Sequence, residues 1–249
     1  LNGSLHRYLQ SHFDRQIIGA TDLYLKAELS ARSASVLDIL RQLVGDETRW
    51  KGNRQSIAYV KLDGIPELVV RRGRRGGWVS PMVQDIYLGF RPRQFVELAV
   101  ATKAFSRSLP VAEPVGAIVE WLAPGIYRGY YLTRKESGCT LWEFVQKARP
   151  RSELLAIFKQ VRHALDELQR AGLYHRDLTL HNFFVTNRGR ECRVLVLDLD
   201  RARFTQSPLS SRLQERNRRR LLRSVRKLDP LEKIFDDEAL CCLGLHEKR

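Results

Sequence analysis

The segment Tyr174-His175-Arg176-Asp177-Leu178-Thr179-Leu180-His181-Asn182 sets a carboxylate five residues ahead of a side-chain amide, then runs into the apolar stretch Phe183–Val185. Phosphoryl transfer calls for such groups. One carboxylate orients an acceptor hydroxyl and takes its proton, a second carboxylate and an amide oxygen hold a divalent ion, and a cation steadies the donor phosphates. In the pattern H-R-D-L-x-x-x-N, Asp177 is the candidate proton acceptor and Asn182 a metal ligand through its side-chain oxygen, while His175 braces the loop. The chain returns through Val194-Leu195-Val196-Leu197 to Asp198 and Asp200. Asp198 directly follows the apolar run and is the favoured second metal ligand; Asp200 reads as a solvated or capping carboxylate. A bare His-Arg-Asp arises by chance, and His175 alone would fit a half-buried structural histidine. The long pattern, the hairpin behind it and the strand-end carboxylate together carry the catalytic reading.

Those groups need elements to hold them. Residues 1–44 read as helical, with Val36, Leu37, Leu40, Leu43 and Val44 on one face. Ser56–Lys61 and Glu67–Arg71 read as strands joined at Asp63-Gly64, and residues 91–106 as a helix bearing Phe95, Leu98, Ala99 and Thr102 with Glu97 among them. Residues 117–124 and 127–133 have the aromatic and β-branched content of further strands. Thr133–Cys139 is polar and reads as a hinge. Beyond it a helix runs from an N-cap at Ser152 to Gly172 at C′, a turn falls at Asn187-Arg188-Gly189, and residues 208–228 form a basic helix. The expected architecture is α+β in two lobes flanking a cleft: a helical extension over 1–44, a strand-rich lobe over 45–135 and a mostly helical lobe over 136–249.

Composition bounds the rest. With 249 residues and 43% hydrophobic content, the chain can bury a sizeable core. Its net charge of +15, from 43 Lys and Arg against 28 Asp and Glu, concentrates anionic partners without choosing among nucleic acid, membrane and phosphorylated substrate. No apolar run approaches the roughly 18 residues of a membrane span, and the N-terminus lacks signal-peptide order. Cys139, Cys192, Cys241 and Cys242 have no metal spacing, so free thiols in a reducing cytosol are expected.

The loop resembles that of the protein-kinase-like fold, and more closely that of the lipopolysaccharide kinases of Gram-negative bacteria, in the branch that acts on 3-deoxy-D-manno-octulosonic acid (Kdo). That family carries H-x-D-L-x-x-H-N, matched here by His175, Asp177, Leu178, His181 and Asn182, and an Arg-Arg-Gly-Gly element, matched within "VVRRGRRGGW". Asp198-Leu199-Asp200 stands at its metal motif, and the likeness spans roughly residues 45–228.

The resemblance implies an antiparallel sheet with one main helix ahead of a helical lobe, ATP and Mg²⁺ as cofactors, and a Kdo hydroxyl on lipid A, the 4-hydroxyl, as acceptor. It implies a peripheral enzyme on the cytoplasmic face of the inner membrane, with no nucleic-acid partner. Site roles follow from it: Arg71 takes the place of the protein-kinase lysine, with Lys61 as rival, Glu97 pairs with Arg71, Gly52 lies in a degenerate phosphate loop, and His181 supports the catalytic loop. Arg72, Arg74, Arg75, Arg218, Arg219 and Arg220 would draw the anionic acceptor or membrane. No Ala-Pro-Glu follows Asp198, which argues against a protein substrate. A heptose kinase is the nearest alternative, and a catalytically dead fold acting as a basic binding module is the alternative of another class.

Overall fold

The computed structural model describes residues 3–51, 56–73, 85–188 and 191–245. The chain divides into two compact units, Leu1–Thr102 with Glu113–Lys135, and Lys103–Ala112 with Glu136–Arg249.

The first unit comprises α1 (Gly3–Gln10), β1 (Asp14–Ile18), β2 (Thr21–Leu25), α2 (Ala27–Ser30), α3 (Ser33–Gly45), β3 (Ile57–Leu62), β4 (Ile65–Arg72), β5 (Tyr87–Leu88), α4 (Arg93–Phe105), β6 (Pro114–Ala123) and β7 (Ile126–Arg134). Its seven strands form one antiparallel sheet in the order β1-β2-β6-β7-β4-β3, with β5 paired to the start of β7. Strand periodicity sorts the side chains between two faces. On one, Val36, Leu37, Leu40 and Leu43 of α3 join Leu23, Leu25, Val60, Leu68, Val70, Ile118 and Leu132 in a single core cluster. On the other lies α4, whose buried Phe95 meets the Tyr24 ring edge-on at 5.0 Å. Full burial of a Leu or Phe contributes about 1.5–3 kcal/mol, so both helices are strongly held.

The expectation of an all-helical stretch over 1–44 fails at residues 14–25. Ile17 and Ile18 run into a turn at Gly19 (φ 61°) and Ala20, and the chain pairs back as Ile18↔Thr21 to Asp14↔Leu25. β2 then pairs with β6, so this hairpin extends the main sheet.

The second unit holds β8 (Gly138–Thr140), α5 (Leu141–Val145), α6 (Arg151–Arg170), β9 (Leu173–Tyr174), β10 (Phe183–Arg188), β11 (Glu191–Val196), β12 (Arg203–Phe204), α7 (Ser211–Leu228) and α8 (Asp237–Leu243). β10 is central in a sheet ordered β11-β10-β8, and β9 pairs with β12. β8 falls where the sequence suggested only a hinge. It approaches β10 so closely at Gly138 (φ 154°) that a Cβ there would lie 2.1 Å from the Val185 carbonyl oxygen. Thr140 then opens α5 with a capping box, its hydroxyl accepting from the Glu143 N–H while the Glu143 carboxylate accepts from the Thr140 N–H.

The long helix α6 buries Ile157, Phe158, Val161, Ala164, Leu165 and Leu168 at helical spacing. It starts at Arg151 after Pro150, so Ser152 lies inside the first turn instead of capping it; Gly172 follows the C-cap Ala171 at φ 78°. The mixed α+β class and the antiparallel first-half sheet match expectation.

Candidate active site

The loop at residues 175–182 is fixed at both ends by strand pairing. Tyr174 pairs with Arg203 before it, and Phe183 pairs with Val196 after it. Between them Leu178 and Leu180 are fully buried, while Arg176 and Asp177 stay exposed. Apolar anchors on the inward positions thus hold a carboxylate on the outward one. The Leu197 N–H donates to the Asn182 carbonyl at 2.8 Å, adding one rung to the β10–β11 ladder. Asn182 therefore lies opposite Leu197 at the open end of the hairpin, next to Asp198. The Asn182 amide nitrogen donates to the Asp177 carbonyl at 2.5 Å, which directs Oδ1 to the other side.

His175 links the two carboxylate-bearing segments. It is 1% exposed; Nε2 lies 3.0 Å from the Leu197 carbonyl oxygen, and Nδ1 accepts the Asp177 N–H at 3.2 Å. A carbonyl only accepts and an amide N–H only donates, so the proton sits on Nε2 and Nδ1 carries the lone pair. Burial lowers the His175 pKa from its usual 6.5, against a smaller upward pull from the Leu197 bond and from Asp198 and Asp177. A second proton would set Nδ1–H against the Asp177 N–H. The neutral ring thus fixes the backbone at Asp177 and the carbonyl one residue before Asp198.

Asp198 occupies the left-handed region at φ 59°, ψ 66°, directly before the 3₁₀ turn Leu199–Arg201 that contains Asp200. A non-glycine residue held there costs on the order of 1 kcal/mol or more, and such strain concentrates at functional sites.

α7 contributes two supports that the sequence did not reveal. Ser224 Oγ accepts the Leu180 N–H at 3.1 Å, and Arg220 Nη1 donates to the Tyr174 hydroxyl at 2.7 Å. Ser224 and Arg220 are four apart and face the loop together. The only signal was a polar stripe, Asn217, Arg220 and Ser224, beside the buried Leu221 and Val225. Arg220, expected to attract anionic partners, is half-buried and bonded to the residue preceding His175. Arg218 is exposed, and Arg219 is exposed but paired with Glu215 at 2.7 Å. His181 is half-buried in the short turn Leu180–Asn182.

In the first unit Arg71 Nη2 pairs with the Glu97 carboxylate, and the guanidinium carbon lies 5.6 Å from the Tyr131 ring centre. Glu97 is 3% exposed. Lys61 is exposed on β3. Strand alternation sends Arg72 the opposite way: it is 5% exposed, with its guanidinium over the Trp50 ring at 4.4 Å. Arg72 is therefore corrected from a surface attractor to a buried side chain on the α3 side of the sheet. Gly52, Arg74 and Arg75 lie outside the described residues.

The oxygen donors at Asn182 and Asp198 suit a hard cation. Mg²⁺ is held by one or two protein oxygens, with phosphate and water completing its shell, so this pair fits a nucleotide-borne ion. Arg71, fixed by Glu97, has the planar fork that binds phosphate oxygens. Among the described residues no helix is long and apolar enough to cross a membrane.

The lipopolysaccharide kinase (Kdo/WaaP) family profile matches residues 23–237. The chain is 28% identical over 182 residues to a 3-deoxy-D-manno-octulosonic acid kinase of Xylella fastidiosa strain 9a5c, covering 72% of this chain and 69% of that protein. It is 28% identical over 199 residues to the protein of the same name in strain M23, covering 77% and 76%. A 3-deoxy-D-manno-octulosonic acid kinase of Pasteurella multocida is 31% identical over 157 residues, covering 61% and 63%. With most of its length matched, this chain belongs to the lipopolysaccharide kinase (Kdo/WaaP) family and is an enzyme of that class.

Proposed function

We propose that the enzyme transfers the γ-phosphoryl group of ATP to the 4-hydroxyl of a Kdo residue on lipid A, at the cytoplasmic face of the inner membrane of a Gram-negative bacterium. Asp177, outward on its loop, orients that hydroxyl and accepts its proton. Asn182 Oδ1 and the Asp198 carboxylate hold Mg²⁺, which when bound offsets the charge of the donor phosphates. Arg71, with Glu97 behind it, contacts the nucleotide phosphates. The Kdo acceptor is favoured over a heptose because the relatives described above are named for Kdo.

The observation that carries this reading is the His175 imidazole, bonded to both the Asp177 N–H and the Leu197 carbonyl. A buried ring tying two carboxylate-bearing segments together is hard to account for in a module that only binds.

The test is phosphate transfer from ATP to Kdo-lipid A, with a heptosylated core acceptor in parallel. Asp177→Asn is expected to cut kcat by roughly 10²–10⁴ with nucleotide binding nearly unchanged, and Asp198→Asn to raise the Mg²⁺ concentration needed. Wild-type turnover in both variants would refute the reading, and preference for the heptosylated acceptor would move it to the neighbouring class.

A further inference from the structure

Among the described residues, one end of the first unit's sheet carries exposed apolar side chains. Leu88 is 66% exposed, Phe90 68% and Leu122 43%. They belong together through the backbone. β7 begins at Ile126, paired on one side with Leu88 and on the other with Ala123. Strands lie about 4.8 Å apart, so the three chains at this end span about 10 Å. Tyr87, Trp121 and Tyr127 pack on one face, with Tyr127 stacked on Tyr87 at 5.5 Å and tilted against Trp121 at 5.4 Å. Alternation then turns Leu88 and Ile126 to the other face. Leu122 is the extra residue of a bulge between the Trp121↔Tyr127 and Ala123↔Ile126 pairs. The Gly89 N–H donates to the Gly125 carbonyl at 2.8 Å. Gly125 turns at φ 73°, where an added Cβ would lie 3.1 Å from the Phe90 ring. The apolar side chains therefore stand on a braced frame. Arg91 beside them is exposed as well.

We infer that this end is a bilayer-docking wedge, in which Leu88, Phe90 and Leu122 enter the acyl boundary of an anionic membrane while Arg91 meets the headgroups. The inference rests on the proposed lipid-linked acceptor. Two features favour a bilayer over a second copy of the chain. Exposed Phe and Leu beside Arg is the composition of an interfacial anchor, and a chain of net charge +15 is drawn to anionic lipid and repelled by its own copies. On α7, Arg220 is turned to Tyr174, which leaves Arg218 and Arg219 as the exposed pair for the salt-sensitive attraction.

The test uses the full chain and vesicles of phosphatidylethanolamine and phosphatidylglycerol with brominated acyl chains. Leu88→Gln/Phe90→Gln/Leu122→Gln is expected to lower vesicle partitioning about 30-fold, equivalent to about 2 kcal/mol at 1.4 kcal/mol per decade. The loss should persist at high salt, whereas Arg218→Gln/Arg219→Gln should lower only the salt-sensitive part. Quenching of the protein's tryptophan fluorescence by the brominated chains should fall in the triple variant. KM for vesicle-borne acceptor should rise while turnover of a soluble Kdo glycoside stays at the wild-type level. Phe90→Gln alone, expected to lose several-fold, serves if the triple variant melts early. Unchanged partitioning overturns the inference, as does a wild-type dimer that the substitutions dissociate. Wedge-dependent partitioning without transfer to any Kdo acceptor would refute the proposed function and leave the wedge standing.

Discussion

Replacing His175 by alanine removes the acceptor for the Asp177 N–H and the donor to the Leu197 carbonyl in one step. Leaving a buried polar group unpaired costs about 1–3 kcal/mol. Asp177 is exposed and Leu197 half-buried, so water can reach both, and the lower end applies: about 1 kcal/mol each. The ring itself is 1% exposed, and losing its packing adds about 1–2 kcal/mol. The sum, about 3–4 kcal/mol, corresponds to a melting shift of roughly 10 °C at 2–4 °C per kcal/mol. Releasing the two carboxylate segments by about 1 Å should lower kcat about 10²-fold. Burial holds the folded-state pKa of His175 below its usual 6.5, so below pH 6.5 the unfolded chain takes up a proton that the folded chain refuses. This contribution is absent above pH 6.5; as pH falls it destabilises the fold by up to about 1.4 kcal/mol per unit, until the folded-state pKa is reached. Urea unfolding of wild type and His175→Ala from pH 7.5 to 5, with kcat at each pH, reads all three effects. An unshifted unfolding free energy with wild-type kcat, or an acid slope as steep in the variant as in wild type, would refute the argument.

Asp198→Gly should abolish turnover, while relief of the left-handed strain at φ 59° offsets part of the stability lost with the side chain's own interactions; Asp198→Ala, which keeps the strain, should be the less stable of the two in urea unfolding, and equal stabilities would refute a strained conformation. Arg71→Ala should raise KM for ATP at least tenfold, whereas Lys61→Ala, exposed on β3, should change it less than twofold; steady-state kinetics at saturating acceptor decide between them. Gly138→Ala should destabilise the second unit by more than about 2 kcal/mol, because its Cβ would meet the Val185 carbonyl at 2.1 Å, and hydrogen exchange should show early loss of protection at Phe184–Thr186. Ser224→Ala should lower kcat several-fold with KM for ATP unchanged; a nucleotide-binding defect instead would exclude a role through the Leu180 N–H.

The candidate residues that were legible in sequence are those placed by local geometry. Asp177 and Asn182 share one loop, and a single hairpin brings Asp198 beside them, so offsets and an apolar run were enough. Arg71 and Glu97 are 26 residues apart, but strand and helix order aligned them. What was missed depended on distance or on alternation. Ser224 meets Leu180 across 44 residues, and nothing in the spelling of a basic helix distinguishes a loop-facing arginine from a solvated one. Arg71 and Arg72 read as one basic run, although period two sends them to opposite faces. The strands at 14–25 are hidden in sequence because the helical stripe at Val36–Leu43 dominates its surroundings and Gly19-Ala20 is a weak turn signal.

The place of β1 bears on how this edge of the sheet is closed. β1 is the outermost strand, and its Asp14, Arg15 and Gln16 put charged and polar groups along that rim, with Arg15 fixed to Asp22 by two hydrogen bonds of 3.0 and 2.9 Å. Behind it Leu23, Tyr24 and Leu25 are at most 1% exposed. The family match begins at residue 23, inside β2. A chain trimmed to that boundary would keep those three residues and lose the strand that covers them. It would leave β2 as the edge strand with its backbone donors and acceptors open, the kind of edge that recruits strands from other molecules. β1 thus fills an edge of the sheet that would otherwise stand open, and it lies outside residues 23–237, which the family profile matches.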